Sequence, residues 1–237
     1  EHYAEHPDVI FVCVKAITLQ ETIPFIKRIA RKNTIVIPVL NIYGTGGKMQ
    51  KELPDLLVTD GCIYVSANIK EPGKLLSMAD PAIVFGVRDK EEFRPELKEI
   101  QKDLCDSHID GTLSENIRRE ALEKFSYDPD RAAGLYYHAT AADFQKEGEA
   151  RELFKTMIKE IAALAEAMGV PFQKDMAEVN LKIFPTRTGS NHFHAAGYHG
   201  RKQSEIDGLV YEVVRMGEEY HVPVPAYEKV AEKLRAL

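Results

Sequence analysis

The sequence predicts an α/β protein, in which a mostly parallel sheet fills the first half and an all-helical domain follows. Two observations support this. In the first half, short apolar runs alternate with stretches of helical periodicity, a pattern typical of βαβ units. From Leu113 onward the strand-like runs stop and only helical patterns follow. We therefore expect two domains, residues 1–112 and residues 113–237.

Four short runs in the first half have the apolar, β-branched composition of strands in a buried sheet. They are Asp8–Val14, Thr34–Leu40, Gly61–Ala67 and Ala82–Val87. The first run is expected to be buried on both faces. Helical patterns cover Gln20–Lys32, Gly47–Leu53 and Glu91–Leu104. In the first of these helices, Pro24 is expected in the first turn, where proline is tolerated.

The second half has a series of helical patterns. They cover Ser114–Phe125, Ala132–Gln145, Gly148–Met168, Ser204–Tyr220 and Tyr227–Leu237. Ser114 is a candidate N-cap, because its side chain can accept a hydrogen bond from the first turn. The third pattern is the clearest, since its apolar residues recur at steps of three and four. Gly169 followed by Pro171 is a typical helix stop.

Composition argues against several classes of protein. The formal net charge is -6 and no long basic run is present, so nucleic acid is not expected as a partner. No apolar stretch approaches the roughly 20 residues that cross a bilayer, so no membrane partner is expected. The three cysteines, Cys13, Cys62 and Cys105, are widely spaced. This suits buried thiols in a reducing cytoplasm better than a disulfide framework or a zinc site.

The loop after the second predicted strand is a candidate binding site. It contains Asn41 and the glycines 44, 46 and 47. Ligands of open α/β sheets bind beyond the carboxyl ends of the strands, where an Asn can hydrogen-bond a polar substrate. The alternative is a glycine-rich turn that Asn41 caps. Lys15, at the end of the first strand, could meet a phosphate or carboxylate in the same cleft, or be a solvated lysine.

Two charged residues of the helical half are further candidates. Lys124 could donate a proton to a carbonyl oxygen as a hydride arrives at the carbon. Its alternative is an exposed lysine in a charge-rich helix. Glu205 could orient a substrate hydroxyl, although an acidic residue in a first helical turn is also favoured by the helix dipole. His192, His194 and His199 resemble a zinc-ligand cluster, but no acidic or cysteine partner completes it, so no metal is predicted.

The order of these features resembles the ketopantoate reductase family (2-dehydropantoate 2-reductases). The similarity runs over essentially all 237 residues. It rests on Val14-Lys15-Ala16, Leu40-Asn41-x-x-Gly44, Glu123-Lys124-Phe125, Ser204-Glu205-Ile206-Asp207-Gly208 and Val222-Pro223-Val224-Pro225.

This resemblance implies a Rossmann domain for NADPH and a C-terminal helical domain of the 6-phosphogluconate dehydrogenase type, with the active site between them. It implies reduction of 2-dehydropantoate to pantoate, for coenzyme A, by a cytoplasmic homo-oligomer. Lys124 would be the general acid and Glu205 would bind the substrate's hydroxyl end. Asn41 would position substrate and nicotinamide, and Lys15 would lie near the cofactor.

The sequence departs from the family pattern in three ways. Nothing precedes Glu1, whereas the family opens with a strand and a G-x-G-x-x-G turn. We therefore expect a truncated Rossmann sheet that binds cofactor poorly and associates through its open edge. The family's two asparagines beyond the lysine are replaced by Asp128, here a candidate substrate-binding residue, and Ala132, and Pro129 disfavours helix there. The expected Ser and Asp before Glu205 are not recognisable in residues 191–201.

Two other functions therefore stay open. One is a reductase of another 2-keto acid or a 3-hydroxy acid on the same scaffold. The other, from a different class, is a non-catalytic remnant whose helical domain mediates dimerisation.

Overall fold

The computed structural model describes residues 5–137, 139, 142–183 and 205–236. The chain forms two compact units, residues 1–121 and residues 122–237. Within the described residues, the first unit combines sheets with flanking helices and the second is helical. The fold class predicted from sequence is confirmed. The division between the units falls inside helix α4 (Ile117–Phe125) and not at residue 112.

The first unit contains eight strands within the described residues. They are β1 (Val9–Val12), β2 (Ile35–Pro38), β3 (Leu57–Val58), β4 (Asp60–Tyr64), β5 (Ala67–Glu71), β6 (Lys74–Ser77), β7 (Ala82–Gly86) and β8 (Asp110–Leu113). Strands β1, β2 and β3 form a parallel sheet in that order. In the neighbouring sheet, β7 pairs with β8 in parallel and with β4 in antiparallel orientation. Strands β5 and β6 form a separate hairpin.

Strand β2 is buried on both faces because two apolar clusters meet on it. Val36 packs into a cluster with helices α1 (Leu19–Ile29) and α2 (Thr45–Glu52). Ile35 and Ile37 point into a second cluster with helix α3 (Glu96–Asp106). This explains the continuous apolar run in the sequence, since neither face of the strand meets water.

Strand β1 does not have the burial that its sequence predicts. It is a terminal strand of its sheet, and Phe11 is 38% exposed. The expectation that this run is buried on both faces was therefore wrong. Helix α1 begins at Leu19, directly after a 3-10 turn, so Pro24 lies inside the helix and not in its first turn. Of the three cysteines only Cys62 is buried.

The β5–β6 hairpin, β8 and β3 were not predicted. In the hairpin, Ile69 and Leu75 are largely exposed, so the strands lack the burial that makes a strand recognisable in sequence. Strand β8 is short and contains Gly111, against which Leu104 packs closely. Length and a glycine both weaken the signal of a strand.

The second unit is built around one long helix, α6 (Glu149–Ala167). Helices α5 (Pro129–Tyr137), α7 (Met176–Ile183), α8 (Glu212–Tyr220) and α9 (Pro225–Arg235) pack against it. Its buried face carries the apolar residues expected from the periodicity, namely Leu153, Met157, Ile161 and Leu164. A π-helical turn, Asp207–Tyr211, leads directly into α8.

Three local expectations for the helical part were wrong. The N-cap of α4 is Asn116, whose Oδ1 accepts from the Arg119 N–H at 3.1 Å, while Ser114 accepts from Asn116 itself. Pro129 begins α5, which a proline can do because the first helical N–H needs no intrahelical partner. The helix expected over 132–145 ends at Tyr137, and a 3-10 turn covers Asp143–Gln145.

Candidate functional site

Lys15 and Asn41 lie at the same edge of the parallel sheet. Val12 of β1 and Pro38 of β2 are registered partners, and each candidate follows three residues after its own member of that pair. The strands are further tied there by the Val39 N–H, which donates to the Val12 carbonyl at 3.1 Å. Lys15 is exposed and Asn41 is half-buried. The carboxyl edge of two parallel strands thus carries both a lysine and an asparagine, and open α/β sheets bind ligands at this edge.

The glycines after Asn41 serve the packing of α2. A Cβ on Gly46 would lie 2.1 Å from the Thr59 carbonyl oxygen and 2.2 Å from Asp60 Oδ1. The backbone N–H groups of Gly46 and Gly47 hydrogen-bond the Asp60 carboxylate. Gly44 has a φ of 73°, the left-handed conformation that glycine adopts without strain. An internal carboxylate therefore occupies the N-terminus of α2, so these N–H groups are not available to an external anion.

Asp60 belongs to a polar cluster that sequence reasoning missed. Arg88 Nη1 lies 3.7 Å from Asp60 Oδ1, and Arg88 Nη2 donates to the Val58 carbonyl at 2.8 Å. Burial raises the pKa of the Asp60 carboxyl, whereas Arg88 and the two glycine N–H groups lower it. Gln50 completes the cluster by accepting from the Val58 N–H and donating to the Leu53 and Leu56 carbonyls.

Lys124 is a buried lysine near the end of α4. Only 7% of it is exposed, which is rare for a lysine, since burying an ammonium group is costly unless it is compensated. Its Nζ lies 5.8 Å from the centre of the Tyr127 ring, within the range of a cation–π contact. The alternative of an exposed helix lysine is thereby excluded. A buried ammonium beside an aromatic ring can serve as a positioned proton donor.

The turn after Lys124 is held by a residue that the sequence analysis did not single out. Asn180 of α7 donates through Nδ2 to the Ser126 carbonyl at 2.6 Å and to Ser126 Oγ at 3.3 Å. Asn180 is 1% exposed and Ser126 is fully buried. One signal could have indicated Asn180. It lies four residues after Met176 and one before Leu181, so it shares the buried side of a short apolar helix.

Asp128 follows in the same turn and is 6% exposed. Its charge, together with that of Glu160, raises the pKa of the fully buried Tyr227 phenol, although burial itself is the largest cause. Glu160 accepts hydrogen bonds from the Ala226 and Tyr227 N–H groups at 2.7 and 3.1 Å, and so caps α9. Burial raises the pKa of the Glu160 carboxyl, against the effect of these two bonds. Ala132, which stands where the family pattern has its second asparagine, is a core residue that is 3% exposed.

Glu205 is half-buried, and its carbonyl accepts from the Leu209 N–H at 2.9 Å where the π-helical turn begins. This turn packs against α5, α8 and α9. π-helical turns occur frequently at functional sites, because the extra residue re-aims the side chains around it. Arg215 of α8 holds the turn by bonding both Asp207 and Glu212.

His192, His194, His199 and Ser204 lie outside the described residues. Among the residues that the structure describes, no group of three or more His, Cys, Asp or Glu side chains could hold a metal ion. In that same part of the chain, every helix is too short or too polar to cross a membrane.

Comparison with known proteins gives a consistent result for both halves of the chain. The family model described as ketopantoate reductase PanE/ApbA C terminal matches residues 116–237, and that of ketopantoate reductase PanE/ApbA matches residues 1–90. A 2-dehydropantoate 2-reductase of Aquifex aeolicus (strain VF5) is 22% identical over 242 residues, which are 97% of this chain and 76% of that protein.

Two solved structures have the same fold. The 2-dehydropantoate 2-reductase from Methylococcus capsulatus superposes with a TM-score of 0.84 at 17% identity, over 99% of this chain and 76% of that one. A D-mandelate dehydrogenase in ternary complex with NADH and anilino(oxo)acetate superposes with a TM-score of 0.82 at 19% identity, over 100% of this chain and 77% of that one.

Proposed function

Because the chain belongs to the ketopantoate reductase family of oxidoreductases, we propose that it serves the NADPH-dependent reduction of 2-dehydropantoate to pantoate. The observation that carries this proposal is the burial of Lys124 in the part of the chain that matches the family's C-terminal model. Lysines are seldom buried, and ionisable groups in buried surroundings often belong to functional sites.

The cofactor would be held in part by Lys15 and Asn41. An exposed cation and a half-buried amide at the carboxyl edge of β1 and β2 suit a phosphate and a carboxamide respectively. The N-terminus of α2 would not take a phosphate, because Asp60 already accepts its N–H groups. When bound, the nicotinamide supplies the hydride that reaches the keto carbon.

Lys124 would supply the proton. As the keto carbon gains the hydride, its oxygen gains negative charge, and an ammonium within hydrogen-bond reach can donate a proton to it. The Lys124 ammonium would also stabilise the developing oxyanion. The deprotonated amine is then reprotonated from solvent.

Asn41, Glu205 and Asp128 would bind the rest of the substrate. Glu205 and Asp128 are hydrogen-bond acceptors and suit a hydroxyl group, while the Asn41 amide can donate to a carboxylate or a carbonyl. The Asp128 carboxylate would also repel the carboxylate of a keto acid. This makes Asp128 the residue most informative about the true substrate.

The test of the proposal is a steady-state assay on the protein encoded by the complete gene, following NADPH oxidation with 2-dehydropantoate. Replacing Lys124 by Met should lower kcat by about a hundredfold or more, the usual contribution of a general acid. Lys159→Met is the matched control, since Lys159 is an exposed lysine of α6 in the same unit. Equal kcat values for the two variants would refute the proposal.

Cofactor binding is tested separately by calorimetry. Lys15→Ala should weaken NADPH binding while Lys124→Met leaves it nearly unchanged. Tighter binding of NADH than of NADPH would correct the cofactor, but would leave the reductase assignment in place.

A second candidate is a reductase of another 2-keto acid. Two observations favour it, namely Asp128 in place of the expected asparagine and the structural similarity to a D-mandelate dehydrogenase. Assaying 2-dehydropantoate beside phenylglyoxylate, the keto acid that corresponds to mandelate, distinguishes the two. If the second candidate is right, Asp128→Asn, which restores the expected asparagine, should raise activity on 2-dehydropantoate relative to phenylglyoxylate. No turnover of any keto acid would favour a non-catalytic role.

The protein is further proposed to work as a cytoplasmic homo-oligomer. Strand β1 supports this, because it is a terminal strand whose partly exposed Phe11 could pair with another copy. Light scattering of this 237-residue chain at micromolar concentration tests it, and a monomer would count against it.

A further inference from the structure

The backbone around Lys124 is fixed by a set of hydrogen bonds at the end of α4. Ser126 Oγ donates to the Glu123 carbonyl at 2.6 Å, and the Tyr127 N–H donates to the Lys124 carbonyl at 3.1 Å. The Asp128 N–H donates to the Phe125 carbonyl at 3.1 Å. The last turn of α4 is thus closed tightly, as helix ends are when 3-10-type bonds satisfy their carbonyls.

Asn180 joins this turn to a distant helix. It reaches Ser126 from 54 residues away, and its amide bonds both the carbonyl and the hydroxyl of Ser126. The orientation of the amide follows from the chemistry. The Ser126 hydroxyl gives its one proton to Glu123, so both Ser126 oxygens can only accept, and the Asn180 atom facing them must be the NH₂ group.

Two observations set Asn180 apart from an ordinary core residue. Its Oδ1 is buried and has no hydrogen-bond donor within the described part of the chain. A half-satisfied buried amide lowers stability, and an apolar side chain of the same size would avoid that cost. The segment leading into α7 also holds α4, because the Gln173 N–H donates to Glu123 Oε1 at 3.3 Å. Two contacts from one region therefore converge on the end of α4 that carries Lys124.

We infer that Asn180 is a positioning residue for the reaction, which holds the Ser126 turn and thereby aims the Lys124 ammonium at the substrate carbonyl. The inference rests on the proposed role of Lys124 as the proton donor. Asn180 acts through Ser126 and is not inferred to touch the substrate. Proton donation depends steeply on geometry, and a displacement of about 1 Å can lower a rate about a hundredfold.

The experiment compares variants of the complete protein in the NADPH-dependent assay. Asn180→Asp keeps the shape but cannot donate to the Ser126 carbonyl, and Asn180→Ala removes the amide. Both should lower kcat by about 10- to 100-fold, with KM changed by less than about threefold. The isotope effect on kcat with NADPH deuterated at the transferred position should rise, because the chemical step becomes slower relative to product release.

The matched control is Gln145→Ala. Gln145 Nε2 donates to the Leu181 carbonyl at 3.0 Å, so this variant also removes an amide-to-carbonyl bond from α7, at the neighbouring residue. It should leave kcat within about twofold of the parent, and its melting temperature shows how much of any effect is stability alone. If the Asn180 variants do not fold, Ser126→Ala serves, with an expected fall in kcat of about 3- to 10-fold.

The outcomes separate this inference from the proposed function. A low kcat for Lys124→Met together with a normal kcat for Asn180→Asp overturns the inference and keeps the function. A rise in KM without a change in kcat also overturns it, because that would indicate direct substrate binding. A normal kcat for Lys124→Met removes the proposed function, and the inference falls with it.

Discussion

In each of the two units a buried carboxylate caps the start of a helix, but within the described residues only the carboxylate of the first unit lies near a counterion. In the first unit, the buried carboxylate of Asp60 accepts the N–H groups of Gly46 and Gly47 at the start of α2. In the second, the buried carboxylate of Glu160 accepts the N–H groups of Ala226 and Tyr227 at the start of α9. Both caps come from outside the helix that they cap, unlike the local caps that sequence patterns reveal.

The difference lies in the counterion. Arg88 lies 3.7 Å from Asp60, whereas no Lys or Arg in the described part of the chain forms an ion pair with Glu160. Glu160 instead faces the charge of Glu228, which adds to the burial that raises its pKa. The comparison shows that a glycine-rich helix start after a strand need not be an anion site. Here its N–H groups are used inside the protein, together with a charge pair.

The largest loss of stability is expected from adding a side chain to Gly46, at the capped start of α2. Gly46→Ala would place a Cβ 2.1 Å from the Thr59 carbonyl oxygen, so α2 must shift and lose its bonds to Asp60. We expect a loss of about 4 kcal/mol in the free energy of unfolding, measured with urea. In the second unit, Gly217→Ala in α8 would place a Cβ 2.7 Å from Cγ2 of Val224, the residue before α9, and should cost about 2 kcal/mol.

Gly47→Ala is the control for this pair, since nothing lies within 4 Å of its added Cβ. It should stabilise the protein by about 0.5 kcal/mol, because alanine favours helix over glycine. If Gly46→Ala were as stable as Gly47→Ala, the close approach of α2 to Asp60 would be wrong.

Removing the charged cap should have the next largest effect. Asp60→Ala leaves the Gly46 and Gly47 N–H groups and a largely buried Arg88 without their carboxylate, so we expect a loss of about 3 kcal/mol. Thermal or urea unfolding beside Asp55→Ala, which removes an exposed carboxylate of the same unit, gives the comparison. A loss no greater than that of the control would show that the Arg88 pair contributes nothing.

The cap without a counterion should matter less. Glu160→Ala leaves the Ala226 and Tyr227 N–H groups unbonded but exposes no unpaired cation, and should cost about 2 kcal/mol in urea unfolding. Glu228→Ala removes an exposed acid from the first turn of the same helix, and should cost under about 0.5 kcal/mol. A larger loss for Glu160→Ala than for Asp60→Ala would reverse the comparison between the units.

The smallest effect is expected from pH. Burial raises the folded pKa of Asp60 above its ordinary value of 3.8 and that of Glu160 above 4.5. Each raised pKa means that folding favours the protonated form. The stabilisation that each carboxyl group gives through this shift is therefore complete below its ordinary pKa and is lost as the pH rises through its folded pKa. Asp60→Asn and Glu160→Gln cannot titrate there.

The stability of the parent relative to each of these variants should therefore fall as the pH rises above the ordinary pKa of each carboxyl group. Urea unfolding at a series of pH values measures this difference. A difference that increased with pH would mean that hydrogen bonds and, for Asp60, the Arg88 charge outweigh burial.

Some features of this protein were determined by the sequence alone. The run Thr34–Leu40 predicted a strand, and the apolar stripe of α6 predicted a helix that is stopped at Gly169. Both signals are local, because the spacing of apolar residues along one strand or helix indicates which of its faces are buried. The order of motifs around Lys15, Asn41, Lys124 and Glu205 likewise indicated the family, which the comparisons confirmed.

Only the tertiary structure decided which partners the buried polar groups have. Nothing local in the sequence joins Asn180 to Ser126, or Glu160 to the start of α9. A polar residue in an apolar stripe signals burial, as Glu160 does between Met157 and Leu164, but it does not name the group that compensates it. That group is fixed by how helices distant in sequence pack together, since a buried hydrogen bond forms only with a donor or acceptor that packing brings within reach.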